Sequence, residues 1–121
     1  MIKFSELNTA KSCEGLVPAI IQDDSTRQVL MLGYMNEEAF EKTLSEGRVT
    51  FFSRTKGRLW TKGETSGNFL TVKSIEKDCD ADTLLVRVEA AGPVCHTGSK
   101  TCFGGREHEG FIGALQNVIR Q

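Results

Sequence analysis

The stretch RVTFFSRTKGRLWTKGETSGNFLTVKSI, residues Arg48 to Ile75, decides the fold. β-branched and aromatic residues fill Arg48–Arg54 and return at Leu59-Trp60-Thr61, with Lys56-Gly57 as a turn between them. Gly63 to Asn68 is rich in Gly, Ser, Thr and Asn, the composition of a loop whose backbone must approach something closely. Phe69 to Ile75 then alternates as a further strand.

Working outward, Leu16–Gln22 and Gln28–Met35 read as two strands of a hairpin around the polar break Asp23-Asp24-Ser25-Thr26. Asn36 is a good helix N-cap, Glu37 and Glu38 suit the positive end of the helix dipole, and Gly47 is a stop signal after Phe40 and Leu44 have lined one face. Downstream, Thr83–Ala90 is another strand, and Gly92–Gly105 is poor material for regular structure and good material for a site loop. From Glu107 the residues Phe111, Leu115, Val118 and Ile119 recur at helical spacing. The expected fold is α+β: a mostly antiparallel β-sheet, one main helix and a C-terminal helix. Residues 1–105 form the main domain and 106–121 the helical tail.

Composition bounds the function. A chain of 121 residues fits one core, and a formal net charge of -1 gives no basic stripe for nucleic acid, so a small ligand is the more natural partner. No apolar run reaches membrane-spanning length, and Met1–Cys13 lacks the hydrophobic centre of a secretory signal; the cytoplasm is the expected location. Without an export signal, the four cysteines are expected as thiols or thiolates.

Asp78-Cys79-Asp80-Ala81-Asp82 is the most informative segment for chemistry, because three carboxylates within five residues repel one another unless a cation or solvent separates them. Were the segment extended, Asp78, Asp80 and Asp82 would share one face and Cys79 the other. That sorting points to two metal sites, a hard one suited to magnesium and a soft one suited to zinc. A solvated acidic turn is the competing reading. An EF-hand loop is disfavoured, since Thr83 stands where the turn wants glycine and Leu84–Val88 reads as strand.

Cys95 and Cys102 flank His96 without the spacing of a structural zinc finger. Three thiolates would leave the fourth zinc position open to water, the arrangement of a catalytic site. His96 is then the nearby base, with a fourth ligand or a plain hydrogen-bonding histidine as alternatives. Arg54, Lys56, Arg58 and Lys62 precede the Gly63-Glu64-Thr65-Ser66 loop, whose hydroxyls and backbone N–H groups suit a phosphate; an ordinary exposed strand is the rival reading.

Three blocks now stand in order: Leu59-Trp60-Thr61-Lys62-Gly63-Glu64-Thr65-Ser66-Gly67-Asn68, Asp78-Cys79-Asp80-Ala81-Asp82, and Gly92-Pro93-Val94-Cys95-His96-Thr97-Gly98 followed by Thr101-Cys102-Phe103. Together they are highly specific, and over roughly Leu16 to Gly105 the chain resembles phosphoribosyl-AMP cyclohydrolase, which opens an adenine ring in the histidine pathway. The resemblance implies a homodimer with zinc shared across its interface, Cys79 of one subunit joining Cys95 and Cys102 of the other. It also implies magnesium on Asp78, Asp80 and Asp82; His96 is the expected catalytic residue, and Arg54, Trp60, Lys62, Gly63, Glu64, Thr65 and Ser66 are the expected substrate-binding residues. Thr101 stands where members of the family often carry serine, with the hydroxyl retained. The tail Phe111–Gln121 resembles the opening helix of the phosphoribosyl-ATP pyrophosphohydrolase domain of bifunctional relatives; a final helix packing on its own dimer is the alternative.

Overall fold

Alternation of apolar and polar side chains builds the centre of the molecule. The computed structural model describes residues 2–9 and 15–103. Strand β1 (Val17–Asp23) buries every second residue and turns into β2 (Val29–Met35) as an antiparallel hairpin. Asp23 makes that turn, its Oδ2 accepting from the Thr26 N–H at 2.8 Å, while Arg27 takes a left-handed φ of 66°. Helix α1 (Glu37–Glu46) follows at once, capped by the Asn36 side chain on the Ala39 N–H at 2.8 Å and ended by Gly47 at φ 72°. Such a cap contributes about 1 kcal/mol.

Strands β3 (Thr50–Ser53) and β4 (Arg58–Thr61) form a separate two-stranded hairpin, and β5 (Leu70–Lys77) and β6 (Leu84–Ala90) pair antiparallel with a bulge between Val72 and Ser74. The larger sheet has the order β2-β1-β6-β5. All its pairings are antiparallel except β1 with β6, which run parallel. The α+β class with one main helix is therefore present. The predicted C-terminal helix, and Cys13, lie outside the described residues. Among the described residues no helix is long and apolar enough to cross a membrane.

One face of the sheet carries Val17, Ala19, Ile21, Met35, Leu84, Val86 and Val88, all buried, and α1 and the β3–β4 hairpin cover it. Phe40 from α1 and Phe51 from β3 are the largest side chains in this core; truncating either to alanine would cost about 3–5 kcal/mol. Gly33 inside β2 is explained by this packing, since a Cβ there would lie 2.5 Å from the Phe51 ring. A buried hydroxyl chain ties the layers together. Thr43 of α1 donates to the Ala39 carbonyl at 2.8 Å and accepts from the Thr50 N–H at 3.0 Å, and the Thr50 and Thr61 hydroxyls meet at 2.9 Å. The chain thus enters the loop after Thr61 from a fixed point.

Candidate active site

That loop forms one wall of a cleft of about 440 Å³ lined by Trp60, Lys62, Gly63, Thr65, Ser66 and Asn68, with Pro93, Val94, Cys95, His96 and Gly98 opposite. Two segments thirty residues apart in sequence meet here because β5 and β6, which lead away from them and toward them, are neighbours in the sheet. Roomier clefts exist, one of about 500 Å³ lined by Ile2, Phe40, Leu44, Val72, Ile75 and Glu6, but its lining has neither thiol nor cation.

The second wall is a tight turn. The Cys95 N–H donates to the Ser99 carbonyl at 3.0 Å and the Gly98 N–H to the Cys95 carbonyl at 2.9 Å. The chain then runs to the free margin of β2, where the Cys102 N–H donates to the Leu30 carbonyl at 2.8 Å and the buried Thr101 hydroxyl donates to the Val29 carbonyl at 2.7 Å. This return brings the Cys95 and Cys102 thiols close enough that each influences the other's ionisation.

Their surroundings differ. The Thr97 hydroxyl, 3.1 Å from the Cys95 sulfur, holds that thiol below its ordinary pKa, and the Lys62 ammonium acts in the same direction. Cys102 as a residue is exposed, yet its thiol is pushed up, by desolvation first and by the neighbouring Cys95 second. A pair of sulfurs with a hydroxyl donor and a cation nearby suits a soft metal, whose ligands are thiolates. His96 is exposed on the same wall, its Nδ1 4.0 Å from the Cys95 sulfur.

Cys79 does not join this pair. It lies exposed in the connection from β5 to β6, and among the described residues the one group of three acidic, thiol or imidazole ligands is Asp78, Asp80 and Asp82. The acidic segment is not extended. It is a turn, with Ala81 at φ 59° and the Ala81 N–H donating to the Asp78 carbonyl at 3.0 Å. The carboxylates converge through that turn, their ligand oxygens within 4.8 Å of one another, instead of through strand alternation. Asp80's carboxyl is raised above its ordinary pKa, by Asp82 above all, with desolvation and Asp78 adding to it. Such a cluster is able to hold a hard cation.

Of the residues expected to bind substrate, Trp60, Lys62, Gly63, Thr65 and Ser66 line the cleft. Arg54 and Glu64 do not. Arg54 stacks on the Tyr34 ring at 4.3 Å, and Glu64 pairs with Arg58 at 3.2 Å and accepts from the Thr61 N–H at 3.3 Å. Sequence reasoning passed over Asn68 and Thr97; the glycines at 63 and 92 were a signal for the first, since both close on Asn68.

The sequence profile of the phosphoribosyl-AMP cyclohydrolase family matches residues 31–104, which takes in both walls of the cleft and the acidic turn. Among curated relatives, the histidine biosynthesis bifunctional protein HisIE of Bacteroides thetaiotaomicron is 65% identical, over 87% of this chain and 53% of that protein. The protein of the same name from Escherichia coli K12 is 61% identical over 96% of this chain and 57% of its own length, and that of Photobacterium profundum 68% identical over 88% and 55%. The chain spans about half the length of the curated relatives it matches. With the two thiols, the histidine and the glycine-rich loop all inside the matched span, the chain belongs to the phosphoribosyl-AMP cyclohydrolase family.

Proposed function

We propose that this chain hydrolyses N1-(5-phosphoribosyl)-AMP at the N1–C6 bond of its adenine ring, giving the phosphoribosylformimino-aminoimidazole carboxamide ribotide of histidine biosynthesis in the cytoplasm. The observation that carries this reading is one cleft in which a loop of a lysine and hydroxyls faces a thiol and a histidine. Family membership and relatives named for histidine biosynthesis support the substrate.

Cys95 and Cys102 are soft donors that influence each other's ionisation, so zinc fits them, and, as the family resemblance implies, the third thiolate would come from Cys79 of a second copy, which agrees with its standing apart from them in its own chain. Bound there, zinc would supply Lewis-acid chemistry and lower the pKa of a coordinated water. A homodimer has a surface available. On the sheet face turned away from α1, Pro18, Ile20, Leu32 and Leu85 stand together by strand register, half-buried or exposed. Asp78, Asp80 and Asp82 offer only oxygen donors and suit magnesium.

The residues divide the work. Lys62 and the hydroxyls of Thr65 and Ser66 bind a substrate phosphate, and Trp60 and Gly63 shape the space beside it. His96 accepts a proton from the attacking water and passes it to N1. Oxygen bonds to C6 as the N1–C6 bond breaks, so that C6 becomes the carboxamide carbon and N1 leaves within the formimino group. Arg54 and Glu64 support the wall through Tyr34 and Arg58. Residues 106–121 begin a second, pyrophosphohydrolase domain, a reading supported by the bifunctional name of the relatives.

The test is the ultraviolet absorbance change on adding phosphoribosyl-AMP to the zinc- and magnesium-loaded protein. Turnover is expected, with kcat reduced about 10²–10⁴-fold in His96→Ala at unchanged zinc content. No spectral change with the parent protein would sink the activity, and near-normal turnover by His96→Ala would sink that residue's role.

A further inference from the structure

We infer that Asn68 is a positioning residue that sets the distance between the two walls of the cleft, an inference that rests on the cyclohydrolase reading. Apart from Trp60, in β4, neither wall belongs to a strand. One leaves β4 and the other follows β6, and the backbone ladder that joins their bases stops at Leu70 opposite Ala90, with a last bond from the Ala91 N–H to the Phe69 carbonyl at 3.1 Å. Beyond that point the connection passes to the Asn68 side chain, whose Nδ2 donates to the Pro93 carbonyl at 3.3 Å.

The chain is shaped around this side chain. A Cβ on Gly92 would lie 2.6 Å from Asn68 Oδ1 and 2.8 Å from its Cγ. Gly92 lies outside the left-handed region, so the contact with Asn68 is what opposes a larger residue there. Gly63, at φ 94°, closes on the backbone of the same residue, with a Cβ 2.5 Å from the Asn68 carbonyl carbon. The Gly67 N–H donates to the Gly63 carbonyl at 2.7 Å, and the Asn68 N–H donates to the Ser66 hydroxyl at 3.2 Å. Lys62, Thr65 and Ser66 are thereby tied to Asn68 as one piece, and Asn68 is tied to the segment that carries Cys95 and His96.

A double-mutant cycle tests the clamp. Asn68→Ala is expected to raise KM for phosphoribosyl-AMP about tenfold with kcat within about threefold, because the phosphate wall drifts from the thiol wall while the chemistry of the second wall is untouched. Gly92→Ala alone pushes Asn68 from its seat and should raise KM similarly. In the Asn68→Ala background it should add nothing, because the atoms it strikes are gone. An unchanged KM in Asn68→Ala, or KM penalties that multiply in the double variant, would overturn the inference. The same cycle read by Tm stands apart from the activity. If the parent protein fails to turn over phosphoribosyl-AMP, the functional reading falls, while equal losses of Tm on Gly92→Ala in both backgrounds would refute the clamp itself.

Discussion

Replacing Thr101 by valine removes one hydroxyl from the attachment of Cys102 and changes the side-chain shape little. That hydroxyl donates toward the Val29 carbonyl at 2.7 Å and the Leu30 carbonyl at 3.1 Å, and accepts from the Phe103 N–H at 3.1 Å; the residue is 7% exposed. Val29 and Phe103 are themselves exposed and the Leu30 carbonyl keeps the Cys102 N–H, so losing this hydroxyl costs about 1–2 kcal/mol. Thr101→Ser keeps the hydroxyl and gives up one methyl, about 0.8 kcal/mol. The expected order of stability is parent, then serine, then valine. For a domain of this size the valine variant should melt roughly 5–10 °C below the parent. Urea and thermal unfolding of metal-free protein measure the order, and the rate at which Cys102 reacts with a thiol reagent should rise in the valine variant as its backbone bond to Leu30 frays. A valine variant as stable as the serine variant, with Cys102 no more reactive, would refute the idea that the hydroxyl holds this segment on β2.

Lys62→Ala should raise KM for phosphoribosyl-AMP about tenfold, equivalent to roughly 1.4 kcal/mol of lost binding; steady-state kinetics with an unchanged KM would remove Lys62 from the phosphate site. Asp80→Asn relieves a carboxyl crowded by Asp82 and Asp78, so the metal-free variant should melt no lower than the parent, and magnesium, expected to raise the Tm of the parent, should raise that of the variant less. An undiminished magnesium effect would exclude the acidic turn. Asp23's carboxyl lies below its ordinary pKa, chiefly through the Thr26 N–H. Its contribution to stability is therefore complete above the unfolded value near 3.9 and lost as pH falls through the lower folded value. Asp23→Asn, which cannot ionise, should lose stability less steeply below about pH 4, and parallel acid-unfolding curves for the two proteins would contradict this.

Local signals were legible wherever a residue's own chemistry dictates geometry. Asn36 and Gly47 bound the helix as capping rules require, and strand alternation located all six strands to within two residues. Hairpin partners were legible from the turns between them, but distant partners were not, because alternation says which face a strand buries and nothing of its neighbour. The parallel pairing of β1 with β6 joins residues more than sixty positions apart. The acidic segment is the sharper case. The three aspartates do converge as a group, but not through the extended geometry expected, since Ala81 adopts a left-handed conformation that an alanine gives no reason to expect. That Arg54 and Glu64 lie off the cleft lining was hidden for a similar reason: charge marks a side chain as able to bind an anion or cation, while Tyr34 and Arg58, met only in the folded chain, engage them there.

The strand that sits between β1 and β5 is the last of the six to be synthesised. A nascent chain on the ribosome can close the β1–β2 hairpin and the helix early, yet its two flanks of open hydrogen-bonding groups wait for residues 84–90 to emerge. Translation that stalls before that point leaves the hydrophobic face of β1 without its lateral neighbour and available to other chains. Stalled products of this gene should therefore be drawn to chaperones or inclusion bodies, and Cys95 and Cys102, which follow β6, emerge only when that risk has passed.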